Sequence, residues 1–207
     1  MTIYSYDRDV IKKRLQMLDK TKSIAFGILA LERALPNYFE FQIESGSLGG
    51  AELRAASAQC WAALELAPHS GSTFVTVEAC EEFLPDPDDH NTSAYTSAAL
   101  DAVNIACCLL TYLDSGDVPT LMEIVEARWD TLYLFIGNGM EIQPSAPGFQ
   151  EEILHHPLMQ EELSFVYEDI DFLHALPGDS KSVLAATIRR TNLQDYRRLR
   201  LKNFDSY

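Results

Sequence analysis

Residues 94–113 read AYTSAALDAVNIACCLLTYL, an apolar run long enough to cross a bilayer, yet Asp101 and Asn104 stand in its middle. An acidic side chain at the centre of a bilayer costs about 3 kcal/mol even on a permissive scale. No basic flank marks a cytoplasmic boundary. A buried helix at 92–114, capped by Asn91 or Thr92, satisfies both the length and the polar residues. A helix that is apolar on most sides needs other helices around it, so this one is expected at the centre of the fold.

The rest of the chain supplies such helices. Apolar residues recur at helical spacing and hardly anywhere alternate as in a strand. An amphipathic opening at 7–18 carries Val10, Ile11, Leu15 and Leu18. Residues 22–44 follow with Ile24, Ile28, Leu31, Leu35 and Tyr38, where Pro36 is expected to kink or split the helix. SGSLGG at 45–50 is a loop. Helices are expected at 51–66, 73–83, 118–136, 149–154 and 157–175, and a last one capped by Ser180. Breaks fall at Pro68, LPDPDDHN (84–91), Ser-Gly-Asp (115–117), GNGMEIQPSAPG (137–148) and PGD (177–179). The expectation is an all-α chain of about eight helices forming one domain over 1–207, with a basic C-terminal segment at 181–207.

Charge is distributed unevenly. The net charge is -15, but residues 51–180 hold only Arg54 and Arg128 against 23 Asp/Glu, for -21. Residues 1–50 sum to +1 and residues 181–207 to +5. An acidic body of this size repels nucleic acid and anionic membranes. It attracts a basic protein, a cation, or the chain's own basic end. Cys60, Cys80, Cys107 and Cys108 form no C-x-x-C pair and no zinc spacing, and Cys107 and Cys108 read as small core residues. The N-terminus MTIYSYDRDVIKKRL is polar where a signal peptide is apolar, so a cytoplasmic location is expected.

Three segments resemble the YjaG-like family of uncharacterised bacterial proteins, domain of unknown function family 416. In AFGILALERALPNYFEF (25–41), Glu32-Arg33 and Pro36-Asn37-Tyr38 fit the family's Glu-Arg-x-x-Pro-Asn-Tyr element. EEFLPDPDDHNTSAYTSAALDAVNIACCLL (81–110) fits through its acidic loop and the Asp-Ala step at Asp101, and HPLMQEELSFVYEDIDFL (156–173) is the third segment. The resemblance implies a compact all-helical cytoplasmic protein and no particular activity. The basic end, RRTNLQDYRRLRLKNFDSY, departs from the family's pattern.

Ser97, Asp101, Asn104 and Cys108 share one stripe of the apolar helix. A buried Asp needs a cation or several donors, and Arg33, in the other apolar helix, has the fork that suits a carboxylate. One reading is a polar pocket of Glu32, Arg33, Asn37, Tyr38, Asp101 and Asn104. The other is an internal ion-pair network that fixes helix register. Asp86, Asp88, Asp89 and Asn91 fail the EF-hand pattern and read as an exposed turn. His155 and His156 read as a solvated helix end, and Glu161-Glu162, adjacent on a helix, point apart. The chain carries no nucleophile elbow, phosphate loop or Cys/His dyad. No metal and no cofactor are expected. In the basic end, Arg189, Arg190, Arg197, Arg198 and Arg200 are expected to lie on acidic surface of this chain or of a second copy, and not on nucleic acid.

Three functional classes follow. The first is a non-enzymatic binding or regulatory protein whose acidic surface engages a basic protein, or itself as a homo-oligomer. The second narrows this to an immunity or antitoxin protein that neutralises a basic toxin. The third is an enzyme, for a small molecule or with a metal, built on the Glu32/Arg33/Asp101 pocket.

Overall fold

Each long helix begins and ends where local chemistry stops the chain. In a computed structural model, which describes residues 3–65, 74–86, 93–140 and 143–194, nine helices and no strand are present among the described residues. Asp7 caps α1 (Arg8–Gln16) by accepting from the Val10 N–H, and Asp19 caps α2 (Lys20–Ser45) by accepting from the Lys22 N–H. Thr76 does the same for α4 (Val77–Glu81). Gly116, in the left-handed region at φ 70°, closes α5 (Thr96–Ser115) with its N–H on the Tyr112 carbonyl. α3 (Gly50–Glu65), α6 (Val118–Gly139), α7 (Phe149–His155), α8 (Pro157–Ala175) and α9 (Ser180–Gln194) complete the order.

Three local expectations are corrected. Pro36 does not split α2, which is helical from Lys20 to Ser45. The proline removes one backbone bond, but Arg33, Ala34, Leu35, Asn37 and Tyr38 on either side of it are all buried, so packing holds the helix through the gap. The apolar helix starts at Thr96, after a turn in which Ser93 Oγ accepts the Tyr95 N–H and the Ser93 carbonyl accepts from Thr96, so its N-terminal turn is not the one expected at Asn91 or Thr92, which lie outside the described residues. The last helix is capped by Asp179, whose Oδ1 accepts the Ser182 N–H at 2.9 Å, and Ser180 is its first residue.

α2 and α5 form the central pair. α5 packs on α2, α3, α4 and α6, while α2 adds α8 and α9 on its other side. Their close approach depends on Gly27: a Cβ there would stand 2.4 Å from Leu109 Cδ1. Phe26, Ile28, Leu29 and Leu31 of α2 meet Ala102, Val103, Ile105, Ala106 and Leu109 of α5 in one continuous core. α5 is the one described helix long and apolar enough to cross a membrane, but it is wrapped by helices on several sides and its Asp101 is 2% exposed inside protein.

The basic N-terminal part of the chain clamps this bundle. Arg8 of α1 reaches Glu126 of α6, and Arg14 pairs with Asp171 of α8. Lys20 and Lys22 donate to the carbonyls of Leu113 and Leu176, at the C-terminal ends of α5 and α8. Cations placed there complement the negative end of each helix dipole. Ahead of α1, Gln160 grips Tyr4 through both its backbone N–H and its carbonyl, and Tyr6 stacks on Trp129 with ring centroids 4.1 Å apart.

Candidate functional site

The polar residues expected to share one pocket go to separate places. Glu32, on the outer side of α2, accepts from Ser57 Oγ at 2.5 Å and Trp61 Nε1 at 3.0 Å, which fixes α3 to α2. Tyr38 is fully buried, and its hydroxyl lies 2.7 Å from the Leu48 carbonyl and 3.2 Å from that of Phe83. It ties the 46–49 loop and the end of α4 to α2, and burial pushes its phenol up to about 12. Asn37 is buried in α2, and Asn104 is half-buried on α5.

Arg33 does not pair with Asp101. Its Nη1 lies 2.5 Å from Oδ2 of Asp169 on α8, a carboxylate with no exposed surface, and its guanidinium sits over the Phe165 ring. Arg190 of α9 takes the other oxygen of Asp169 at 2.7 Å, reaches Glu168 at 3.5 Å and covers Phe172. Asp169 is thus held between two guanidinium groups from α2 and α9.

Asp101 turns instead toward α6 and α8. Its Oδ1 accepts from Thr131 Oγ1 at 2.9 Å, and its Oδ2 stands 3.9 Å from Arg128 Nη1 and accepts no hydrogen bond. Arg128, 4% exposed, gives Nε and Nη2 to Glu162 of α8 at 3.4 and 3.2 Å. Two buried carboxylates therefore share one guanidinium. Burial raises the Asp101 carboxyl to about 7; Arg128 and the Thr131 hydrogen bond pull it down, and Glu162 and Asp130 push it further up. The physical reason for the exchange of partners is geometric. α2 and α5 meet through Gly27 and Leu109, an apolar seam, so the charged stripes of the two helices face α8 and α6 respectively.

Sequence reasoning placed none of Arg128, Glu162 and Asp169 in the site: Arg128 entered only the charge count and Glu162 only as one of an adjacent pair that points apart. Each could have been found by spacing. Arg128 falls three residues from Val125 and four from Leu132, on the apolar stripe of its helix, and Glu162 and Asp169 hold corresponding places beside Leu158, Val166 and Leu173.

A groove of about 440 Å³ opens between α4, α5 and α6. Glu81, Glu123, Glu126 and Asp130 line it, with Asn104, Thr111, Thr120, Cys107 and Cys108. No described basic residue lines its walls, and Arg8 reaches it only at Glu126. Cys107 and Cys108 are half-buried at its floor, not core residues; the Cys108 thiol lies 3.5 Å from Glu123 and is pushed up to about 12 by burial and that neighbour. A thiol held up in this way is protonated near neutral pH and a poor nucleophile.

The remaining expected sites divide by location. Asp86 is exposed, while Asp88, Asp89 and Asn91 lie outside the described residues. Among the described residues no cluster of three His, Cys, Asp or Glu could hold a metal ion. His156 caps α8, its Nδ1 accepting the Leu158 N–H, and burial lowers its pKa. His155 is exposed and bonds the Glu151 carbonyl within α7. Of the basic end, Arg190 lies on this chain's own acidic α8 and Arg189 is exposed; Arg197, Arg198 and Arg200 lie outside the described residues.

A family model described as "Protein of unknown function (DUF416)" matches residues 10–195. The crystal structure of a DUF416 family protein from Shewanella baltica OS155 is similar in fold, with a TM-score of 0.76 at 19% sequence identity, covering 88% of this chain and 93% of that one. No curated protein matches the sequence.

Proposed function

The chain belongs to the DUF416 family of proteins of unknown function, and we propose that it is a non-enzymatic cytoplasmic binding protein that holds a basic segment of a protein partner in the groove between α4, α5 and α6. One observation carries this reading: Glu81, Glu123, Glu126 and Asp130 line an open groove whose described walls have no cation of their own. On α8, by contrast, Asp169, Asp171 and Glu168 are neutralised by Arg33, Arg14 and Arg190 of the same chain, whereas in the groove only Glu126 is paired, with Arg8. Charge of one sign in a concave site raises the encounter rate with an opposite charge and selects against acidic surfaces. Glu32, Arg33 and Asp101 bond to different helices, α3, α8 and α6, which favours the binding reading over a catalytic one.

The test is a titration calorimetry measurement of a synthetic Lys/Arg-rich peptide against the full chain at low and high salt. Binding that weakens as salt rises, and weakens about tenfold in Glu123→Gln/Asp130→Gln, is the expected outcome. Equal affinity of the double variant and the wild type would place the charge contact elsewhere and end this reading.

A further inference from the structure

We propose that Asp101, set against Arg128 and Glu162, is a buried proton-binding site that couples the packing of α5, α6 and α8 to pH around neutrality. The stoichiometry of the cluster is the starting point. Arg128 is the one cation beside two carboxylates, and Glu162 takes its Nε and Nη2. Asp101 receives only the distant Nη1 at 3.9 Å and a neutral hydroxyl from Thr131. Its Oδ2, buried and without a hydrogen-bond partner, is where a proton would sit. As a neutral acid Asp101 leaves the cluster balanced, with one guanidinium against one carboxylate. As a carboxylate it adds a second negative charge where water does not reach.

The surroundings on every side favour this. From α6 come Arg128, Thr131 and Asp130, and from α8 comes Glu162; of these charged groups Arg128 alone is positive. Charged groups of the other helices packed on α5 are not among those acting on Asp101. Arg33 of α2 is on Asp169, Glu32 of α2 takes Ser57 and Trp61, Glu52 of α3 faces Tyr38, and Glu81 of α4 faces Cys107. The carboxyl is correspondingly held up at about 7, against about 3.9 in an unfolded chain. Between those two values the folded state binds the extra proton. Stability from this site is therefore full in acid, declines as pH rises from about 4 to about 7, and has gone above that.

The experiment is a carbon-13 NMR titration of the aspartate side-chain carboxyls in the full wild-type chain, with the resonance assigned by its loss in Asp101→Asn. The expected midpoint for Asp101 is about 7, and Glu162→Gln, which frees Arg128 for Asp101, moves it lower. The amide of Asp101→Asn imitates the protonated acid. The melting temperature of the wild type, measured relative to that variant, falls between about pH 4 and about pH 7. A midpoint in the ordinary carboxylate range, about 4, or one that ignores Glu162→Gln, overturns the proposal. Should Asp101→Asn fail to fold, the wild-type and Glu162→Gln titrations decide between the two outcomes.

Discussion

The two buried charge clusters differ in their balance of charge. Around Asp169, Arg33 of α2 and Arg190 of α9 meet two carboxylates of α8, Asp169 and Glu168. Around Arg128, two carboxylates from α5 and α8 serve one guanidinium. In the first cluster each guanidinium has a carboxylate, arginine stays protonated at any ordinary pH, and Arg190 keeps part of its surface in water, with its side chain 20% exposed. Excess negative charge in the second has another way out, since a carboxyl can take a proton. The same helical framework thus yields one cluster that is fixed in charge and one that titrates. What separates them is whether carboxylates outnumber guanidiniums and how far each is from solvent.

The sharpest way to break the comparison is Asp169→Ala. It leaves Arg33, whose side chain is 6% exposed, without its carboxylate partner. Removing one partner of a buried pair costs about 3–5 kcal/mol, and the loss is expected to be nearly the same at mildly acidic and mildly alkaline pH. Urea unfolding at both values checks it. A cost below about 1 kcal/mol would mean that Arg33 finds another partner at little expense and that the cluster does not hold α2 to α8.

Arg128→Met comes next. It strands Glu162 and Asp101 together in the core, but both can protonate, so the loss has a ceiling that the Asp169 cluster lacks. About 3 kcal/mol is expected at mildly alkaline pH, shrinking as pH falls through the range where Asp101 takes up its proton. The measurement is again unfolding at two pH values, and the difference between them is what matters. A loss that does not change with pH would show that the two clusters behave alike, contrary to their composition.

Much of this was legible in the sequence, and the limits are instructive. The recurrence of apolar residues at helical spacing gave the helices and most of their ends, because caps and breakers such as Asp7, Asp19 and Gly116 act within a few residues. That Asp101 and Arg33 would each need a partner was also readable, since each sits on an apolar stripe. Who the partner would be was not. Arg33 and Asp169 are 136 residues apart, and pairing them depends on how α8 and α9 return across α2, a matter of the whole packing. Pro36 leaves α2 unsplit for a related reason: a proline rule speaks of the local turn, while burial on both sides of it holds the helix together. The groove escaped notice because Glu81 and Glu123 belong to separate helices and meet only when α4 and α6 flank α5.

Arg190→Ala sharpens the comparison from its weaker side. The variant removes a largely buried guanidinium from Asp169, from Glu168 and from the face of Phe172, yet Asp169 keeps Arg33 at 2.5 Å. The buried carboxylate therefore stays neutralised, and the penalty is confined to one charge-assisted hydrogen bond and some packing, about 1 kcal/mol. Arg190→Lys, which keeps the charge but loses the planar fork, is expected to recover only part of it. Both variants are read by urea unfolding beside Asp169→Ala. A loss for Arg190→Ala as large as that of Asp169→Ala would mean that Asp169 needs both guanidiniums, and that Arg33 alone does not hold the buried carboxylate.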